Sequence, residues 1–161
     1  MKNFPIIDKE TGREYWISRS VAVVVAVFTK KSVLVVQRGT GTPDPEFVGK
    51  YCMPCGYLDF DETCAQAAQR ELMEETGLNF PISDFKLINI NDDPKGDKRQ
   101  NLTFRYVVRT SLTEKELELM FTTKNSEKDE VSSIRFIDIN NIDMYELAFN
   151  HNNLIKELWL K

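Results

Sequence analysis

Glu71, Glu74 and Glu75 stand at relative positions i, i+3 and i+4 within residues 62–77, ETCAQAAQRELMEETG. On a helix turning by about 100° per residue these offsets bring side chains together. Like charges so placed cost a few tenths of a kcal/mol per pair, and acids in the last turn also oppose the helix dipole. Stability alone does not select such a triplet. A hard divalent cation does, because carboxylate oxygens are what magnesium prefers, with retained waters and substrate phosphates completing its shell. A solvated acidic face would use the same residue types, and for an isolated Glu-rich helix it is the commoner explanation.

A second chemistry lies just upstream, where Cys52 and Cys55 form a C-x-x-C pair, the spacing of zinc knuckles and redox dithiols. A structural zinc site needs four ligands, and beyond this pair the chain offers only Cys64 and its single histidine, His151. If residues 51–57 are extended, the two thiols point to opposite faces, since side chains alternate along a strand. A thioredoxin-like dithiol would open a helix at the pair, whereas here the first helix signal comes at Thr63. The carboxylates are the stronger candidates.

The elements that must position them follow from pattern. Thr63 and Gln66 fit a capping box, Gly77 supplies a helix stop, and Cys64, Ala65, Ala68 and Leu72 form an apolar stripe with the acids along its edge. Residues 17–28 and 32–37 are valine-rich and predict a two-strand hairpin with both faces covered. Residues 38–50, with three glycines and two prolines, predict a loop, and 51–57 a short extended segment. Further strands are expected at 85–90, 102–109 and 131–139, and an amphipathic helix at 144–161. This order predicts an α+β fold, a sheet sandwiched between helices, and 161 residues suit one domain spanning 1–161.

Composition narrows the partners. With 42% apolar and 29% charged residues the chain has the balance of an ordinary globular protein. A net charge of −4 disfavours broad adhesion to nucleic acid or an anionic membrane. The longest apolar run, Val21–Phe28, is too short to span a bilayer, and the opening MKNFPIIDKETGREYW lacks the apolar core of a secretory signal. A cytoplasmic location with reduced thiols is therefore expected.

The spacing around the acids carries a family signature. Gly56, Glu62, Arg70-Glu71-Leu72, Glu74-Glu75 and Gly77-Leu78 match G-x5-E-x7-R-E-U-x-E-E-x-G-U, with U apolar, at all seven fixed residues and both apolar slots. The chain closely resembles the Nudix hydrolases. The preceding GKYCMPCG is similar to that family's G-K-W-x-x-P-G-G, with Tyr51 for Trp and Cys55 for the first Gly of the pair. The tail ELAFNHNNLIKEL resembles the A-F-D-H ending of the branch related to ADP-ribose pyrophosphatases, with Asn150 at the acidic position.

The resemblance implies an α/β/α sandwich with a mixed sheet, and Mg²⁺- or Mn²⁺-dependent cleavage of a nucleoside diphosphate linked to another moiety. It makes Glu71, Glu74, Glu75 and the carbonyl of Gly56 the metal ligands, Arg70 their orienting residue and Glu62 a supporting contact. Glu71 is the first choice of general base, with Glu127 and Glu130 as rivals. Arg38 falls where the family often has a basic residue near substrate phosphates. Lys95, Lys98, Arg99 and Arg105 are further candidates for a polyphosphate, and Phe47, Tyr51, Tyr57 and Phe60 for stacking on a base. His151 is expected to be a helix-face residue.

The expected partner is a small-molecule nucleotide, with no nucleic acid and no membrane, and a homodimer is compatible with the sequence. ADP-ribose or a nucleotide sugar, a nucleoside triphosphate and an oxidised nucleotide all suit the motif. A nucleoside triphosphate pyrophosphohydrolase and a non-catalytic nucleotide sensor are the alternatives, and a zinc or dithiol protein built on Cys52 and Cys55 is the one from another class.

Overall fold

The two valine runs become β3 (Val21–Phe28) and β4 (Ser32–Arg38), the centre of a seven-stranded mixed sheet. The computed structural model describes residues 4–95, 99–123 and 129–161. As the hairpin reading requires, β3 and β4 are antiparallel neighbours, but their register pairs only Phe28 with Val33. Beyond that point they splay apart. The gap is filled by β5 (Tyr51–Cys52), paired with β4, and β6 (Cys55–Tyr57), paired with β3. Between the two short strands the Pro54 carbonyl accepts the Val25 N–H at 2.9 Å, so the wedge remains hydrogen-bonded through its bend.

On the other side of β3 runs β8 (Leu102–Arg109), parallel to it, with β7 (Lys86–Asn91) antiparallel beyond; β9 (Val131–Asp138) is antiparallel to β4. Alternation along β3 then sorts the core. Val23, Val25 and Val27 face helix α1 (Cys64–Thr76), packing on Ala67, Ala68 and Leu72. Val24, Ala26 and Phe28 face helix α3 (His151–Trp159), packing on Ile155 and Leu158. A sheet covered on both faces explains the unbroken apolar runs, and each fully buried Val or Leu side chain stabilises the sandwich by roughly 1.5–3 kcal/mol.

Three sequence expectations need correction. The first strand does not run from 17 to 28: a separate two-stranded hairpin, β1 (Phe4–Ile7) and β2 (Glu14–Ile17), precedes a break. Arg19 sits in that break and donates to the carbonyls of Asp92 at 2.9 Å and Asn101 at 3.1 Å, tying it to the loop between β7 and β8. The terminal helix does not span 144–161 either. Phe149 and Asn150 both adopt left-handed backbone, φ 58° and 57°, which ends the 3-10 turn Ala148–Asn150 and lets α3 begin only at His151. Finally, a short helix α2 (Glu114–Glu118) was not foreseen, although Thr113 and Glu116 form a complete capping box. Among the described residues no helix is long and apolar enough to cross a membrane.

Candidate active site

Helix α1 begins as its sequence requires: Thr63 Oγ1 accepts the Gln66 N–H at 3.3 Å, and the Gln66 side chain accepts the Thr63 N–H at 2.8 Å. It stops at Gly77, whose φ of 81° allows its N–H to reach the Met73 carbonyl at 2.8 Å. The buried face is wider than the expected stripe and runs through Ala67, Ala68 and Leu72 to Glu75 and Thr76. Glu75 is thus no edge residue; it is 2% exposed.

Arg70 organises the acids. Its Nη1 donates to Glu71 Oε1 at 2.8 Å and to Glu74 Oε2 at 3.1 Å. Its Nε and Nη2 donate to the two oxygens of Glu62 at 3.1 and 2.7 Å, and Nη2 also reaches the Tyr57 carbonyl at 2.9 Å. Glu62 thus pairs with Arg70 through both oxygens, and its carboxyl is held below the usual range by these Arg70 bonds.

Gly56 lies on β6 directly against this network. A Cβ at that position would sit 2.1 Å from Glu71 Oε1, so only glycine permits the approach. The neighbouring Cys55 N–H donates to Glu75 Oε2 at 3.2 Å. Glu130 is brought close by the loop before β9, which is clamped to the loop after β4: Gly39 N–H donates to the Glu130 carbonyl at 2.6 Å and Gly41 N–H to the Asp129 carbonyl at 2.8 Å. A Cβ at Gly39 would meet the Asp129 carbonyl oxygen at 2.1 Å, so this clamp also depends on glycine.

Burial and crowding raise the pKa values of Glu71 and Glu75. Burial pushes the Glu71 carboxyl from 4.5 to about 7 against the pull of Arg70, with Glu74 and Glu130 adding to the rise. Burial likewise pushes Glu75 well up, assisted by Cys55, Glu71 and Glu130. Such a set of hard oxygen donors, mutually repelling and largely withdrawn from water, suits a divalent cation. Among the described residues no three Asp, Glu, His or Cys side chains already converge on one point, because Glu71 and Glu74 are turned toward Arg70 and Glu75 toward the Cys55 N–H. Glu71, Glu74, Glu75 and the Gly56 carbonyl could hold the ion once those bonds yield.

The remaining sequence candidates divide. Tyr57 and Arg99 meet, the guanidinium donating to the phenol oxygen at 3.1 Å and to Asp44 Oδ1 at 2.5 Å. Arg38 is not a solvated strand-end residue: at 6% exposure it lies under the Phe149 ring, 5.1 Å from its centroid, and contacts Thr42 and Cys52. Arg105 is separate from Arg99 and faces Glu157 of α3 at 3.8 Å. Lys95 is an exposed turn residue, its N–H bonded to Asp93. Glu127 and Lys98 lie outside the described residues. His151 is buried at the start of α3, its Nδ1 accepting the Met53 N–H at 3.0 Å.

Sequence reasoning missed Asp44, for which the flanking Pro43 and Pro45 were the only signal. It also misplaced the thiols. Cys52 and Cys55 do not point to opposite faces; both pack in one cluster with Val36, Val131 and Ala148. The reason is the bend at Met53-Pro54: β5 and β6 take their registers from different neighbours, so alternation does not carry across. All three cysteines are free.

The family model for the NUDIX domain matches residues 18–158. An ADP-ribose pyrophosphatase of Methanocaldococcus jannaschii is 27% identical over 154 residues, covering 94% of this chain and 81% of that protein. The fold is similar to the NUDIX domain of Shewanella oneidensis NrtR in complex with ADP-ribose, with TM-score 0.70 and 23% identity over 88% of this chain and 87% of that one. It is also similar to an ADP-ribose pyrophosphatase of Streptococcus suis, with TM-score 0.60 and 18% identity over 86% and 88% of the two chains.

Proposed function

Because the chain belongs to the NUDIX domain family, we propose that it hydrolyses a nucleoside diphosphate linked to another moiety at the pyrophosphate bond, with Mg²⁺ or Mn²⁺ as cofactor. The observation that carries this reading is the buried acid set: Glu71 and Glu75 stacked against Gly56 and Cys55 of β6, with Glu130 close enough to raise both their pKa values. ADP-ribose is the first substrate to test, supported by the relatives named for that activity and by the ADP-ribose complex of a similar fold.

The roles divide as follows. Glu71, Glu74, Glu75 and the Gly56 carbonyl hold the cation. When bound, it offsets the pyrophosphate's negative charge and makes water a better nucleophile near neutral pH. Glu71 is the first candidate to accept a proton from the attacking water. Glu130 is the second candidate for that proton, being a carboxylate near Glu71 that is not among the proposed cation ligands. Arg70 bonds to both Glu71 and Glu74 and neutralises part of their charge. Tyr57 and Arg99 are the substrate-facing pair, and Arg38 acts from beneath, stabilising the Cys52 and Glu75 side of the site rather than reaching for phosphate. The partner is a small-molecule nucleotide; the net charge of −4 gives no support to nucleic-acid binding.

The test is a panel of ADP-ribose, nucleotide sugars, dinucleotides and nucleoside triphosphates with Mg²⁺ or Mn²⁺, read out by products. ADP-ribose yielding AMP and ribose 5-phosphate is the expected result. Release of inorganic pyrophosphate from a triphosphate would move the enzyme to the triphosphate class. Tight ADP-ribose binding without turnover would favour a sensor, a reading supported by the likeness to the NrtR domain.

A further inference from the structure

Asp44, Arg99 and Tyr57 come from three separate segments and form one bridge at the mouth of the acid site. Arg99 Nη2 donates to Asp44 Oδ1 at 2.5 Å, and Nη1 donates to the Tyr57 hydroxyl at 3.1 Å. Tyr57 is thereby tied at both ends, since its carbonyl takes the Arg70 N–H at 2.9 Å on the residue next to Gly56. The ring itself is left available, with Tyr57 41% exposed.

The bridge is built asymmetrically. The Asp44 side chain is only 13% exposed, whereas that of Arg99 is 47% exposed. Pro43 and Pro45 flank Asp44, and a 3-10 turn starts at Pro45, so the backbone presenting the carboxylate is stiff before any partner arrives. An ion pair with one partner this exposed contributes little to folding stability. What it does is fix direction: a guanidinium has five N–H donors in a rigid plane, and only two of them are engaged in these bonds. Asp44 also offsets the Arg99 charge. A planar donor edge of reduced net charge beside an exposed aromatic face suits the uncharged half of a nucleotide better than its pyrophosphate.

We propose that Asp44 is a positioning residue for the nucleoside half of the substrate, holding Arg99 against the Tyr57 hydroxyl so that the Tyr57 ring stands as a fixed stacking platform beside Gly56. This role rests on the nucleotide hydrolysis proposed above. Base and sugar are held by Tyr57 and Arg99, the pyrophosphate lies over the acids, and Asp44 touches neither.

Steady-state kinetics on the best nucleotide of the panel test it, with Asp44→Asn, Arg99→Ala and the double variant. Asp44→Asn is expected to raise KM about tenfold, the size of one base–aromatic stack, with kcat and melting temperature held. The double variant is expected to be no worse than Arg99→Ala alone, because Asp44 acts only through Arg99. Asp44→Glu should recover part of the loss. An unchanged KM in Asp44→Asn, a fall in kcat instead, or additive losses in the double variant would each overturn the role while leaving the hydrolase intact. A wild-type protein that turns over no nucleotide would remove the proposed function and this role with it.

Discussion

The Glu71 carboxylate occupies the space that a side chain on Gly56 would need, with 2.1 Å between Oε1 and an added Cβ. Gly56→Ala must therefore push Glu71 away from β6 or push β6 out of register. Misplacement of a reacting group by an ångström costs about 10² in rate. The variant is expected to lose kcat by at least that order while remaining folded, as read by turnover alongside circular dichroism. Retention of full activity would mean that Glu71 does not work from this position.

Arg70 compensates Glu62, Glu71 and Glu74 at once, and removing it leaves Glu71 buried with its partner gone. Arg70→Ala is expected to destabilise the metal-free protein by about 3 kcal/mol at alkaline pH, the cost of leaving a buried charge unpaired, and by less near neutrality, where Glu71 takes up a proton instead. Denaturant titration gives that number. Added Mg²⁺ should return part of it, because the cation substitutes for the lost positive charge.

Glu75 offers a test in which stability and activity move oppositely. A carboxyl raised in the folded state stabilises below its unfolded pKa, and that stability is lost as pH rises through the folded value. As pH rises above the ordinary carboxylate range without divalent cation the wild type progressively loses it, and at alkaline pH Glu75→Gln should melt higher, its amide oxygen still able to accept the Cys55 N–H. The same variant should lose turnover and the rise in melting temperature that Mg²⁺ produces. A Glu75→Gln protein that melts lower than wild type in the absence of cation would show that burial does not strain this carboxylate.

For Glu71 the pH window can be stated. Its carboxyl is raised from 4.5 to about 7, so metal-free stability from this group falls as pH rises between those values. Glu71→Gln should flatten that part of the stability curve, measured as the denaturant midpoint against pH.

His151 moves the other way. Burial, with Arg105 and Arg38 nearby, pushes its imidazole from 6.5 down to about 3, and its Nδ1 is already committed to accepting the Met53 N–H. The unfolded chain takes up a proton below pH 6.5 that the folded one refuses. Stability from this group is thus complete above 6.5 and drains toward pH 3, by up to about 1.4 kcal/mol per pH unit. His151→Gln should acid-unfold over a shallower range than wild type; equal slopes would place the proton elsewhere.

What the sequence made legible was local. Thr63, Gln66 and Gly77 define α1 through contacts within a few residues, and the spacing of Arg70 and the acids along it needs no tertiary information. The valine runs carried their double burial openly. What stayed hidden depended on partners distant in the chain. Strands of two and three residues, β5 and β6, exist only because β4 and β3 accept them, so the facing of Cys52 and Cys55 could not be counted along the sequence. The 144–161 helix failed at Phe149 and Asn150, whose left-handed backbone local helix propensity does not announce. Asp44 and Arg99 are 55 residues apart and carried no shared pattern.

The parting of β3 from β4 has a consequence for how the molecule opens. The segment bearing Gly56 replaces the hydrogen bonds these two strands would otherwise make with each other, pairing with both of them. It is a member of the sheet rather than a loop laid on it. Moving the Gly56 backbone away from Glu71 therefore means breaking the central ladder, so amide exchange at residues 55–57 should follow global unfolding, with the protection of β3 itself. Destabilising the centre of the fold and dismantling the acid site would then be a single cooperative event.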